Sequence, residues 1–199
     1  MSTSKSRLPS ILSLLFISLS LSQAALAGWS LNGDASSLYY VTSKAAAISE
    51  LNSFGELSGS ITDDGSASVA ISLGSVDTAI DIRNERMRDI VFQVATYPLA
   101  TVSLAADAGR LNSLEAGDSY MATYDATIEM NGMQQTVALE VVVSGLKGGG
   151  LLVALARPLI LNVAVFGFAE GVEQLREIAG LPSINNNIVV DFTLQFDAD

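Results

Sequence analysis

The sequence predicts an all-β fold, an antiparallel β-barrel of eight or so strands, and three observations predict it. Short segments along most of the chain alternate apolar and polar side chains. Tight-turn signals stand between them, at Asp63-Asp64-Gly65, Asn131-Gly132 and Lys147-Gly148-Gly149-Gly150. No strand-helix-strand rhythm of a parallel sheet runs through the chain. An antiparallel sheet with one apolar face can bury that face inward, and closing it into a barrel removes its exposed edges.

Taken in order, Trp29 opens the first strand, and Ser36 to Ser43 is a second, carrying Tyr39, Tyr40 and Val41. Leu51 to Ile61 reads as a third, with Leu51, Leu57 and Ile61 on one face and Asn52, Glu56 and Ser60 on the other. Gly55 and Gly59 share its apolar face, as glycines do at a barrel corner. Asp63 and Asp64 could serve calcium or acid-base chemistry, but an Asp-Gly step between alternating runs is first a hairpin signal. The fourth strand, Ser66 to Leu73, points Val69, Ile71 and Leu73 one way.

Next comes the passage of highest charge density, Arg83 to Asp89, where three arginines and two acids fall within seven residues. Ile90, Val91 and Phe92 follow, then Tyr97-Pro98, a proline placed where a strand begins. The passage predicts a short helical crossover over one barrel end. A crossover there must bury something apolar, and Met87 and Phe92 are the candidates. Arg83, Arg86 and Arg88 could hold a phosphate or quinone head group, but the preferred reading pairs them with Glu85 and Asp89 to fix the crossover itself.

Leu99 to Ala105 is a fifth strand, with Val102 and Leu104 apolar, and Leu111 to Gly117 reads as a loop. From Ser119 the alternation is regular: Tyr120, Ala122, Tyr124, Ala126, Ile128 and Met130 share one face. Asn131-Gly132 turns the chain, because both central positions of a type I′ turn need positive φ. The return strand sets Val137, Leu139, Val141 and Val143 inward, and Lys147 to Gly150 leads into a long apolar strand from Leu151 to about Val163. Glu170 to Ala179 is a helix: Val172, Leu175, Ile178 and Ala179 recur at helical spacing, and Gly180 with Pro182 stops it. Its apolar stripe suits a lid against the barrel. The last strand, Ile188 to Phe196, sets Val190, Phe192, Leu194 and Phe196 inward.

The N-terminus carries the marks of an export signal. Lys5 and Arg7 precede an apolar run from Ile11 to Leu21, and Ala25-Leu26-Ala27 forms a small-residue cleavage site before Gly28. Cleavage after Ala27 would leave residues 28–199 as one domain in the periplasm. The run is short for a membrane span, and with no cysteine in the chain a lipoprotein anchor is excluded. Removing residues 1–27, which hold two basic residues and no acid, leaves 8 basic and 21 acidic residues, a net of −13. Such a surface argues against nucleic acid, whose binding rests on neutralised phosphates, and against polybasic attachment to anionic lipid. It keeps an exported protein soluble.

Composition also narrows the chemistry. The chain has no histidine and no cysteine, which removes the usual general base and both common zinc ligands. The carboxylates lie mainly on polar strand faces and in turns, and Gly148 to Gly150 is no phosphate loop because no helix follows it. No catalytic residue, metal site or cofactor is assigned, and the sequence reads as that of a non-enzyme.

Val76-Asp77-Thr78, the run Arg83-Asn84-Glu85-Arg86-Met87-Arg88, Phe92 and Tyr97-Pro98 together resemble the signature of the YceI-like family of polyisoprenoid-binding proteins, and the resemblance extends from Trp29 to Phe196. Many members carry an Asp and a His where this chain has Asn84 and Arg86. The resemblance implies a lipocalin-like barrel around an elongated apolar tunnel that stores or transports an isoprenoid lipid, of quinone or polyprenyl type, or another long amphiphile. It is compatible with transient membrane contact, as a monomer or homodimer. The implied site is the inward stripes: Val69, Ile71 and Leu73; Met87 and Phe92 of the crossover; Tyr120, Tyr124 and Ile128; Val137, Leu139, Val141 and Val143; and Phe192, Leu194 and Phe196. From the residues alone a second reading stays open, an exported structural or partner-binding barrel filled by its own side chains.

Overall fold

The computed structural model describes residues 28–199; the export segment expected at 1–27 lies outside the described residues. The chain forms strands β1 (Gly28–Lys44), β2 (Ile48–Phe54), β3 (Leu57–Thr62), β4 (Ser66–Ser72) and β5 (Val76–Asp77), then helix α1 (Asp81–Arg86). There follow β6 (Leu99–Ala105), helix α2 (Ala108–Asn112), β7 (Ser119–Met130), β8 (Met133–Gly145), β9 (Leu151–Leu155) and β10 (Leu159–Asn162). Helix α3 (Ala169–Ile178) and β11 (Asn187–Ala198) complete it.

Several of these strands are halves of one. β3 pairs with the start of β1, Trp29 opposite Ile61, and β2 with its end, Tyr40 opposite Asn52, so β2 and β3 are a single strand bent at Gly55-Glu56. β5 extends β4 in the same way, and β10 extends β9 along β11. What results is an eight-stranded antiparallel meander that closes on itself where β11 pairs with β1. The barrel, the helical crossover at α1 and the later helix α3 therefore match the predicted class, and the strand count resolves to eight.

Local departures have local causes. The two strands expected between Trp29 and Ser43 are one, β1, interrupted by a bulge between Asn32 and Ser37. There the Asn32 side-chain oxygen accepts from the Ala35 amide at 3.1 Å and the Ser36 hydroxyl donates to the Asn32 carbonyl at 2.7 Å. The run expected from Leu151 to Val163 breaks at Ala156 to Pro158, where proline has no amide to give the ladder. Part of the loop expected at Leu111 to Gly117 is the last turn of α2, a helix whose start is capped by the Asp107 carboxylate accepting from the Arg110 amide, and Leu111 is buried.

One correction changes which side chains face inward. The single alternating face expected for Leu51 and Leu57 does not exist: Leu51 is 65% exposed and Asn52 is buried. The bend at Gly55-Glu56 shifts the register of β3 relative to β2, so even-numbered residues face inward before it and odd-numbered ones after it. The two turns read from sequence form as expected. Asn131 and Gly132 both have positive φ, 52° and 70°, and Gly65 has φ 85° at the end of the Asp63-Asp64 turn. The Asp64 carboxylate accepts from the Thr62 hydroxyl and the Ser66 amide, so it is committed to that turn.

The interior divides into two cores. At one end Trp29, Ile61, Val141, Val143, Leu194 and Phe196 interdigitate around Ala126 and Leu151. Leu111 of α2 enters the same core, and the Trp29 indole donates to the Gly149 carbonyl at 2.8 Å, pinning the β8–β9 turn across that end. The other core gathers under α1 and α3 and is described below. Gly59 lies where β3 meets β4: a Cβ there would come within 2.4 Å of the Ser68 carbonyl oxygen and 3.0 Å of the Val69 Cα. Gly59→Ala should therefore cost about 1–3 kcal/mol of stability, measured as a shift in the urea midpoint. An unchanged midpoint would mean that the strand pair has slack there.

Candidate ligand-binding cavity

The second core is incompletely filled. Its inward side chains come from every wall: Leu38 and Tyr40 of β1, Phe54 of β2, Ile71 of β4, Ala100 of β6, Ile128 of β7 and Leu161 of β10. Together with the helices above they enclose a cavity of about 420 Å³.

The cover is built from two pieces. After α1 the backbone widens into a π-helical turn over Met87–Val91, and Met87, Val91 and Phe92 are directed down onto the cavity. α3 packs on that turn. Gly171 makes the contact possible, since a Cβ there would lie 2.8 Å from the Ile90 carbonyl oxygen. Val172 and Leu175 line the cavity from α3, as its apolar stripe led one to expect. Aromatic rings tie cover to wall in a chain: Tyr40 stacks on Phe54 at 5.4 Å, Phe54 meets Phe92 at 5.8 Å, and Phe92 meets Phe168 edge-on at 5.7 Å.

One stretch of wall is polar. Lys44, Glu50, Asn52, Thr42 and Arg83 line the cavity along the ends of β1 and β2 and the first turn of α1. Glu50 accepts from Lys44 at 2.8 Å and from Arg83 Nη1 at 2.7 Å. The second Arg83 terminal nitrogen donates to the Thr78 carbonyl. Arg83 thus does not pair with Glu85 or Asp89 as expected; its partner is 33 residues back in sequence. Arg86 also lines the cavity, whereas Arg88 does not. Asn84 takes a structural part, its side-chain oxygen accepting from the Thr78 amide and hydroxyl at 2.8 and 2.6 Å. Burial alone would raise the Glu50 carboxyl, but the hydrogen bonds and charges of Lys44 and Arg83 outweigh it and hold the group below its ordinary value.

The structure brings Ile71, Leu73, Met87, Phe92, Ile128, Leu139 and Phe192 of the predicted stripe to the cavity. Leu139 belongs to both regions and forms part of the cavity floor. Val69 and Val137 lie between the two cores and pack against both. Tyr120, Tyr124, Val141, Val143, Leu194 and Phe196 belong to the filled end, so the expected tunnel is a cavity closed at that end. The Tyr120 and Tyr124 hydroxyls lie 3.4 Å apart there, and Arg110 covers the Tyr120 ring at 3.9 Å. The reason for this split is geometric. Alternation tells which face a side chain takes, but in a barrel of tilted strands it does not tell how far along the axis the side chain sits.

Among the lining residues that sequence reasoning missed are Ala100 of β6, Leu161 of β10 and the inward ones of β1 and β2. Leu38, Tyr40 and Thr42 recur with period two and were legible in principle. Glu50 and Asn52 were masked by the bend that inverts their face.

A family model described as YceI-like domain matches residues 29–196. The chain belongs to the YceI-like family. Among solved structures, this YceI-like barrel is similar to a polyisoprenoid binding domain from Saccharophagus degradans implicated in plant cell wall breakdown, at 35% identity and a TM-score of 0.85. That match covers 87% of this chain and 99% of the other. It shares its fold with BcnA of Burkholderia cenocepacia, at 19% identity and a TM-score of 0.64, over 83% of this chain and 98% of that one. Among curated proteins, none matches the chain.

The lowered Glu50 carboxyl predicts a pH-dependent contribution to the stability of the YceI-like barrel. The folded carboxyl is depressed, so its contribution is complete above the unfolded value near about 4.3 and is lost as pH falls through the folded one. Glu50→Gln should therefore lose less melting temperature than the native protein between about pH 6 and about pH 3. Parallel profiles would mean that Lys44 and Arg83 do not hold the ionised carboxylate in solution.

Proposed function

We propose that the protein binds a long isoprenoid lipid, of quinone or polyprenyl type, and stores or carries it without changing it chemically. The observation that carries this reading is the apolar cavity of about 420 Å³ under the α1–α3 cover, a size within the roughly 300–1,000 Å³ of small-molecule pockets. The 35% identical structure described as a polyisoprenoid binding domain supports the choice of lipid class. The export signal read at residues 1–27 supports a periplasmic site of action. Ile80 and Ile82 line the cavity while staying 48% and 51% exposed, which suits a mouth that touches a membrane transiently during loading.

Energetics fit a carrier. Against water, each methylene of a tail buried in this cavity would nominally contribute about 0.8 kcal/mol. The competing host is a bilayer, however, and exchange replaces one apolar surrounding with another. The net free energy of transfer is then small in either direction, and loading is reversible.

Native mass spectrometry with organic extraction, on protein purified from its own compartment, tests the proposal. A stoichiometric isoprenoid is the expected result. An empty protein that also takes up neither quinones nor polyprenols on titration would contradict it and favour a barrel that serves a partner protein. Ala100→Phe, which fills the cavity from β6, should remove the bound lipid at a stability cost of about 1–3 kcal/mol. Unchanged lipid content in a folded variant would place the lipid elsewhere.

A further inference from the structure

Two hydrogen-bond donors in the cavity wall have no acceptor among the described residues. The Tyr40 hydroxyl belongs to a residue only 5% exposed and finds no partner among the described residues. Arg83 Nε is buried in the same condition. Both side chains line the cavity. Unmade donors at this depth are costly, and each calls for a guest, such as a water, an ion or a ligand atom, that takes up the bond.

Neither group is free to turn elsewhere. The Tyr40 ring is held by its stack on Phe54, 5.4 Å away and inclined by 27°. Arg83 is held at both terminal nitrogens, by Glu50 and by the Thr78 carbonyl, which leaves Nε as its one nitrogen without a partner among the described residues. The neighbouring Asn52 amide is already spent on the wall, donating to Thr42 Oγ1 at 3.2 Å and the Glu50 carbonyl at 3.3 Å. Burial pushes the Tyr40 phenol well above its ordinary value, against the opposing charge of Arg83. The hydroxyl keeps its proton and acts as a donor.

The charges around these donors are partly answered. Glu50 sits between Lys44 and Arg83 and pairs with both. A phosphate brought to Arg83 would meet the Glu50 carboxylate, whereas a carbonyl oxygen would not be repelled. Building on the lipid-binding reading, we propose that the bound lipid carries an uncharged carbonyl-type acceptor, as in a quinone, ester or amide, received by the Tyr40 hydroxyl and Arg83 Nε. The rest of the cavity then takes the tail, and these two donors select the head.

Delipidated native protein, Tyr40→Phe and Arg83→Lys are titrated with four compounds of one prenyl tail: the benzoquinone, the acetate ester, the hydrocarbon and the phosphate. Tyr40→Phe keeps the ring stack, and Arg83→Lys keeps a cation for Glu50 while deleting Nε and the donor to the Thr78 carbonyl. The native protein should prefer the quinone or the ester over the hydrocarbon. Each variant should lose roughly five- to tenfold of that preference, the worth of one hydrogen bond, with hydrocarbon affinity unchanged. Tyr40→Phe without lipid should melt at or above the native temperature, since it deletes an unpartnered polar atom; a lower melting point would show a structural hydroxyl and overturn the assignment. If the hydrocarbon binds as tightly as the carbonyl compounds, or the phosphate binds more tightly than both, this inference falls and the lipid-binding reading stands. If no compound of the tail binds, both fall.

Discussion

The pairing of β11 with β1 is the constraint on which the rest of this structure depends. Trp29 meets Ala198 at one extreme of that seam and Val41 meets Val189 at the other, so it runs nearly the full height of the barrel. Once the seam is made, the first and last strands of the meander are paired with each other and the sheet closes. The ends are then treated differently. Trp29, Leu111 and the Gly149 turn close one with a dense core. The π-helical turn and α3 cover the other without filling it.

That asymmetry follows from residue choice. Toward the filled end, the inward positions of β7, β8 and β11 hold Tyr124, Val143 and Phe196, all part of one packed cluster. At the covered end the large rings of Tyr40, Phe54, Phe92 and Phe168 pack on one another along one side. Stacked in a row, they line the space rather than occupy it. Ala100, with the smallest side chain on its wall, leaves room opposite. The cation–carboxylate cluster of Lys44, Glu50 and Arg83 gives this otherwise apolar space one polar stretch of wall. On the carrier reading, the apolar walls make exchange with a bilayer nearly balanced and the polar stretch distinguishes one lipid from another.

Much of this was legible in the sequence, and the limits have physical causes. Alternation in β7, β8 and β11 and the Asn131-Gly132 turn identified strands and faces, because period two and positive φ are local properties. The stripe of Val172 and Leu175 marked a covering helix for the same reason. Asn52 and Leu51 were assigned to the wrong faces because one bend at Gly55-Glu56 inverts the alternation without changing composition. Val143 and Phe196 were read as lining a tunnel because height along a barrel is set by strand tilt and register, which are not local. The Arg83–Glu50 pair joins a helix to a strand far back in the chain, and nothing in the crossover itself points to it. Tyr40 lay in plain view, but its importance rests on what its hydroxyl lacks, and that is a property of the folded wall.

The central claim is a barrel with one filled end and one receptive end, and methyl NMR during titration with an isoprenoid quinone tests it most directly. The account predicts shifts for the methyls of Ile71, Ile128 and Leu161 around the cavity and none for Val143 and Leu151 in the filled core. Shifts running through Val143 and Leu151 as well would contradict it, showing that the lipid threads the whole barrel.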